Sequence, residues 1–184
     1  MWRAWAARGS GLPHALETPE AFRSAVGSDD TVWIDFVSAT PDEVALLAET
    51  LRLDPLTVED CVADLHHPKI DDFEHYLYLV VHGVSGGARR GQMHTVELDL
   101  VIAKNTLVTF RHAEMRSIEE TRQKALARPG FLAHGPAFAL QSILAIQADH
   151  YIEEVETLQQ ELHELETRVF AERQPTGFER ACSR

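Results

Sequence analysis

The chain has few of the features that mark disulfide-bonded or membrane-spanning proteins. Its 184 residues include two cysteines, Cys61 and Cys182, which are far apart and lie in no CxxC or zinc-finger spacing. A disulfide framework is therefore excluded, and a reducing compartment is the natural environment. No apolar run reaches the roughly 18 residues that a membrane-spanning helix needs. The sequence as given predicts a soluble fragment.

Positive charge is also scarce. Seventeen lysines and arginines face 29 aspartates and glutamates, which gives a formal net charge of −12. Such a balance argues against nucleic acid and against an anionic membrane surface as partners. It favours cations, because acidic faces attract them and tolerate their presence.

Catalytic motifs are missing as well. The sequence contains no GxSxG, no phosphate-binding loop and no GxGxxG pattern. Neither the serines nor Cys61 has a base whose position beside it can be inferred. We therefore predict that the chain is not an enzyme.

What the chain does contain is an alternation of strand and helix patterns with 45% hydrophobic residues, enough for a sizeable core. This pattern predicts an α/β domain over residues 1–130, with a mixed central β-sheet sandwiched between helices. Helices are expected after Thr18, after Thr40, after Asp54 and over Glu114–Ala127. The predicted strands are Val32–Val37, Tyr76–Val84, Thr95–Ala103 and Thr106–Arg111.

A long helical segment is predicted over residues 136–172. Apolar residues repeat there at steps of four and three, the spacing of a heptad seam. Glutamates occupy the other faces of the segment. One interpretation is a helix packed on its own domain with a solvated acidic face; the other is a helix built to pack against a second long helix. The seam residues are Tyr151, Val155, Leu158, Leu162, Leu165 and Val169.

A second helix start follows this segment. Thr176 and Glu179 form a capping-box pattern after Pro175, so residues 176–184 are predicted to begin another helix. Two turns of helix are marginal alone. We expect residues 176–184 to be the truncated start of a longer stalk helix, and the seam to promote self-association through Val155, Leu158, Leu162 and Leu165.

Acidic residues cluster on the short helix that Asp54 and Pro55 begin. Glu59, Asp60 and Asp64 supply carboxylate oxygens, the ligands that hard divalent cations prefer. Neighbouring residues on a helix do not share one face, so a second chain or helix would have to complete such a site. The alternative is purely structural, because acidic residues near a helix start favour the positive end of its dipole.

Two histidines follow the acidic residues. Asp64, His66 and His67 form an Asp-x-His-His pattern that suits zinc better than magnesium. The ten histidines of the chain are otherwise scattered, and no HExxH pattern appears. The alternative interpretation is that these are ordinary surface or core histidines.

Seven markers in the same order resemble the N-terminal cytoplasmic domain of CorA-like divalent cation transporters. The resemblance covers most of the chain, from about Trp33 to Phe170. The markers are Trp33–Asp35, Pro55–Leu56 with Glu59–Asp60, Pro68–Lys69, Tyr76–Leu77, Lys104–Asn105 with Leu107–Phe110, Asp149–Tyr151, and Leu165–Glu166 with Val169–Phe170.

The resemblance implies a homopentamer at the cytoplasmic face of the inner membrane, attached through helices that this chain lacks. It implies Mg²⁺ as the regulatory and transported ion, with Zn²⁺ or Co²⁺ as alternatives. Asp60 matches a ligand of the regulatory site between subunits, and Glu59 matches the same region. The other ligand is expected beyond Arg184, and Ala145 stands where relatives carry a further acidic residue. A zinc transporter of the same superfamily and a stand-alone interaction protein are the alternative functions.

Overall fold

A seven-stranded mixed sheet forms the centre of the computed structural model, which describes residues 2–63, 67–85 and 94–172. The strand order is β2-β1-β3-β7-β6-β5-β4. Strand β3 runs parallel to β7, and every other neighbouring pair is antiparallel. The strands are β1 (Trp2–Ala7), β2 (His14–Leu16), β3 (Thr31–Val37), β4 (Lys69–Asp72), β5 (Tyr76–Ser85), β6 (His94–Ala103) and β7 (Thr106–Arg111).

Five α-helices in the described residues surround this sheet. They are α1 (Pro19–Val26), α2 (Pro41–Leu51), α3 (Pro55–Asp60), α4 (Arg116–Ala127) and α5 (Pro136–Glu172), with a short 3-10 helix at Leu132–His134 before α5. The predicted α/β class, the four predicted strands and the β6–β7 hairpin are confirmed. Helix α4 begins at Arg116 rather than at the predicted Glu114, because Met115 has the extended backbone of an N-cap residue.

Helices cover both faces of the sheet, as the sequence predicts. Phe22 of α1 and Leu47 of α2 are buried on one face, together with Cys61 just after α3. On the other face, Ile118 of α4 and Ile143 of α5 are buried against the sheet. The first half of α5 therefore belongs to the core, whereas the sequence predicted a separate helical region from Pro136.

Three strands were not predicted from the sequence. Strand β1 has the sequence WRAWAA, whose alanines have weak strand preference, and β2 is three residues long. Strand β4 lies at the edge of the sheet, directly after Pro68, and carries three charged residues. Proline and charge are typical of edge strands, so the same pattern that indicates a turn also fits this position.

The predicted helix starts are confirmed in atomic detail. Thr40 Oγ1 accepts from the Glu43 backbone N–H at 3.3 Å, and the Glu43 carboxylate accepts from the Thr40 N–H at 2.8 Å. Asp54 Oδ1 accepts from the Leu56 N–H at 2.9 Å. These caps satisfy backbone donors that have no partner inside the helix.

A buried ion pair joins the two parallel strands. Arg111 donates from Nε to Asp35 Oδ1 at 3.2 Å and from Nη2 to Asp35 Oδ2 at 2.9 Å. Thr109 Oγ1 also donates to Asp35 Oδ1 at 2.7 Å, and Arg3 Nη2 donates to Asp35 Oδ2 at 3.1 Å. The carboxylate is thus held by three side chains, which fixes the central strands to one another.

The described helices include none that is both long enough and apolar enough to span a lipid bilayer. Helix α5 has the length for it, but its second half is rich in glutamate.

Candidate cation site at the end of helix α3

Helix α3 ends beside the edge strand β4, and this contact places Asp60 next to Lys69. Lys69 Nζ lies 2.6 Å from Asp60 Oδ2 and 2.9 Å from Asp71 Oδ2. The same ammonium lies 5.2 Å from the centre of the Tyr78 ring, within the range of a cation–π contact. Lys69 therefore joins the helix, the edge strand and the adjacent strand β5.

Tyr76 fixes the helix on the sheet. Its hydroxyl accepts from the Asp54 backbone N–H at 3.0 Å and lies 2.8 Å from Thr57 Oγ1 in a buried contact. The Tyr76 ring stacks on Phe73 with 4.6 Å between centroids. Because both the start and the first turn of α3 are held, the position of Asp60 at its end is well defined.

An open groove of about 510 Å³ lies between α3 and β4. Three aspartates and one lysine give it a net negative charge. Leu56 and Ile70 add exposed apolar edges. The residues that line the groove are Leu56, Thr57, Asp60, Lys69, Ile70, Asp71, Asp72 and Phe73.

The hydrogen bond to Asp60 and then that to Asp71 raise the pKa of the Lys69 ammonium above its usual value. Lys69 is thus firmly protonated at neutral pH. Its side chain is 34% exposed and that of Asp60 is 22% exposed. Both groups therefore remain accessible to water and to small ions from the groove.

The structure describes three of the five residues that the sequence proposed for a metal. Asp60 lines the groove, and Glu59 is exposed beside it. His67 is exposed before β4, while Asp64 and His66 lie outside the described residues. Within ranges 2–63, 67–85 and 94–172, no three His, Cys, Asp or Glu side chains are arranged to hold a metal ion. The completion of a site by a second chain therefore stays a prediction.

Sequence reasoning missed Lys69, Asp71 and Asp72 as parts of this groove. The sequence singles out Pro68–Lys69 only as a marker of the family resemblance, whereas in the structure Lys69 opens strand β4 and contacts Asp60. The signal that could have identified the strand is the alternation of Lys69, Ile70 and Asp71 after a proline.

Under the groove, the sheet offers little reactive chemistry. Burial raises the pKa of the Cys61 thiol, and nearby carboxylates raise it further, so the thiol stays protonated. Burial likewise raises the pKa of the Tyr78 phenol. Cys61 packs in the hydrophobic core on this face of the sheet.

Comparison with known proteins places the chain in a family. A model of the family described as CorA-like Mg2+ transporter protein matches residues 28–182. This match covers most of the sequence, and the chain belongs to the CorA-like Mg2+ transporter family.

Two relatives and one solved structure illustrate the match. YfjQ of Bacillus subtilis is 29% identical over 134 residues, which are 73% of this chain and 41% of YfjQ. The cobalt/magnesium transport protein CorA of Thermotoga maritima is 22% identical over 144 residues, 77% of this chain and 41% of its own length.

The soluble domain of CorA from Methanocaldococcus jannaschii superposes with a TM-score of 0.67 at 20% identity. The superposition covers 91% of this chain and 64% of that domain. At this identity the likeness shows the fold alone, which is that of a CorA soluble domain. The chain spans about 41% of the length of these two relatives.

Proposed function

We propose that this chain is the metal-sensing cytoplasmic domain of a CorA-like divalent cation transporter. The observation that carries the proposal is the partly exposed carboxylate of Asp60, held in an acidic groove by the Lys69 ammonium. The family match supports the transporter assignment. The position of Asp60 in the groove supports its role as a regulatory ligand.

Lys69 defines how a divalent cation would enter. Its ammonium already bridges Asp60 and Asp71 through one oxygen of each. Magnesium uses one or two carboxylates and keeps several waters, so this pair of oxygens offers the number of ligands it takes. The incoming ion would replace the ammonium, and Lys69 would turn outward on its flexible stem.

A neighbouring subunit would complete the site. Glu59 is exposed next to Asp60, so it is available to a second chain or to water-mediated contact. In the homopentamer that the resemblance implies, a cation between subunits would screen the repulsion of acidic faces. It would stabilise the closed assembly only through its higher affinity for that state.

Magnesium is the ion we propose for both regulation and transport, with cobalt as a second transported ion. The names of relatives that mention magnesium and cobalt support this choice. Within the part of the chain that the structure describes, His67 is exposed and does not line the groove, so its position there does not favour the zinc alternative.

Protease sensitivity of the longer gene product tests the sensing role. We expect millimolar Mg²⁺ to protect the wild-type cytoplasmic domain and to protect the Asp60→Ala variant much less. Asp29→Ala removes an exposed carboxylate in a distant turn and is the matched control. In the isolated chain the difference should be small, because the partner's ligand is absent. Equal protection of all three full-length proteins by Mg²⁺ would refute the sensing role. Repeating the assay with Zn²⁺ tests the alternative ion, which would protect the wild type better than Mg²⁺ does.

A further inference from the structure

Helix α5 leaves the domain at a sharply defined point. Gln147 and His150 are each only 4% exposed, whereas the next residue, Tyr151, is 38% exposed. The Tyr151 hydroxyl donates to the His82 carbonyl of β5 at 3.2 Å. Residues 151–172, which we call the outer half of α5, continue the helix for about 33 Å with mostly exposed side chains. The contacts of residues 147–151 therefore set the direction of the outer half.

A glycine in β5 lets the helix approach the sheet at this point. A methyl group added at Gly83 would place its carbon 2.7 Å from Gln147 Oε1 and 2.9 Å from Met115 Cε. Glycine inside a strand is typical of such a close approach. Because the nearest atom belongs to the end of a flexible side chain, an added methyl group would displace the Gln147 amide rather than the sheet.

Polar side chains join α5 to α4 beside this glycine. Ser117 Oγ donates to Gln147 Oε1 at 2.9 Å. His150 Nε2 lies 3.2 Å from Glu120 Oε1, within hydrogen-bond distance. Ile143, one turn before Gln147, belongs instead to the apolar core. The contact between the two helices thus changes from apolar to polar where α5 leaves the domain.

This buried polar contact is only partly satisfied. Among the residues that the structure describes, Gln147 Nε2, His150 Nδ1 and Thr121 Oγ1 are buried without a hydrogen-bond partner. Such atoms cost free energy, because they have given up their hydrogen bonds to water. Ser117 and Thr121 lie one turn apart on α4, so a second hydroxyl lies close to the one that Gln147 uses. The contact therefore holds α5 less firmly than apolar packing would.

We propose that this contact is a releasable latch, which holds the outer half of α5 in one direction when closed and lets it swing when open. The latch consists of Ser117, Glu120, Gln147 and His150. Opening it brings the unpartnered atoms into water, which offsets the hydrogen bonds that are lost. The apolar core around Ile143 stays in place, so the swing is a rigid-body movement about a few contacts. The latch lies outside the Asp60 groove, so it stands or falls independently of the proposed cation sensing.

Spin-label distances in the 184-residue chain report the direction of the outer half. Labels are attached in a Cys182→Ser background at two exposed positions, Ala45→Cys of α2 and Gln160→Cys of α5. Cys61 is buried and stays unlabelled. Dilution with unlabelled chain restricts the signal to distances within one molecule. With the latch intact, we expect one main distance and a displaced minor population.

Gly83→Ala should open the latch from the side of the sheet. The added methyl group pushes the Gln147 amide away from Ser117, so the ratio of displaced to main population should rise about fivefold, the equilibrium change for one lost hydrogen bond. Gly27→Ala is the matched control. Its methyl carbon would lie 3.5 Å from the nearest atom, an ordinary contact, so the distances should not change.

Apolar replacement should have the opposite effect. Ser117→Ala combined with Gln147→Met removes the partly satisfied polar atoms and keeps the volume of the longer side chain, so the displaced population should fall about fivefold. If these residues only held the structure together, loss of their hydrogen bond would instead enlarge that population. Gln141→Met changes an exposed glutamine of the same helix and is the control.

A second pair of labels separates a swing from bending of the helix. Ala145→Cys and Gln160→Cys both lie on α5, about 22 Å apart along its axis, and their distance should stay single in every variant. Broadening there equal to that of the first pair would overturn the proposal. So would a displaced population that Gly83→Ala leaves unchanged, or one that the apolar replacement enlarges. If Gly83→Ala fails to fold by circular dichroism, the apolar replacement decides alone.

Discussion

Two acid–base pairs in this molecule have the same formal charges and very different surroundings. The Asp35–Arg111 pair is completely buried, with neither side chain exposed. The Asp60–Lys69 pair lies at the edge of a groove, with side chains 22% and 34% exposed. The first is built into the sheet, and the second is accessible to water and small ions from the groove. Burial, and not the presence of a carboxylate, distinguishes a structural acid from a candidate ligand.

The difference follows from where each pair lies in the sheet. Asp35 and Arg111 occupy the two parallel central strands, and Arg3 and Thr109 complete the hydrogen bonding of the carboxylate. Asp60 and Lys69 lie instead at the edge of the sheet, where the six-residue helix α3 meets strand β4. A cation in the groove can therefore approach Asp60 without disturbing the core.

The largest expected effect comes from breaking the buried pair. Arg111→Ala leaves the Asp35 carboxylate buried with one cation fewer, so we expect a loss of about 3–5 kcal/mol of unfolding free energy. Arg8→Ala breaks the Arg8–Asp30 pair, whose arginine is exposed, and should reduce the unfolding free energy far less. Urea denaturation of both variants measures the difference. Similar losses of unfolding free energy in Arg111→Ala and Arg8→Ala would contradict the claim that burial decides how much an ion pair contributes to stability.

A smaller effect is expected from a third pair of intermediate exposure. The bond from Arg122 lowers the pKa of Glu119 from 4.5 to about 2. A carboxyl whose folded pKa is depressed contributes stability above its unfolded pKa, and that stability is lost as the pH falls from about 4.5 towards 2. Because both side chains contact water, we expect the contribution to stay below about 1 kcal/mol.

Glu119→Gln tests this pair. Thermal unfolding of the variant should depend less on pH between 4.5 and 2 than that of the wild type. Gln123, whose amide donates to Glu119 at 3.0 Å, offers a control, because Gln123→Ala should leave the pH dependence largely intact. An identical acid profile for Glu119→Gln and the wild type would show that the pair adds no stability.

Local patterns predicted much of the fold. The capping box at Thr40 and the alternation of Val32–Val37 depend on neighbours in sequence, and both are confirmed. Strand β4 was missed because it is held by pairing with β5 and not by its own composition. The sequence did not predict that the first half of α5 is buried and its second half exposed. Burial of Ile143 and exposure of Leu162 depend on where the sheet ends, and the spacing of apolar residues along the helix carries no information on that.

The residues of the candidate site were likewise predicted only in part. The family resemblance and the short acidic helix predict Asp60 as a metal ligand, and the structure shows that Asp60 lines the groove. Its partner Lys69 was not identified, because their contact joins a helix to a strand nine residues later. Asp64 and His66, which the sequence also proposes as ligands, lie outside the described residues. The metal-binding role of all these residues stays a prediction.

Cation titration of the full-length protein tests the central claim, that a divalent ion binds Asp60 by replacing the Lys69 ammonium. Calorimetry with Mg²⁺ should show Lys69→Met binding tighter than the wild type by roughly fivefold, since an exposed ion pair that must be broken is worth up to about 1 kcal/mol. Adding Asp60→Asn to Lys69→Met should abolish the gain. Unchanged or weaker binding by Lys69→Met, in a variant that unfolds at the wild-type temperature, would contradict the account.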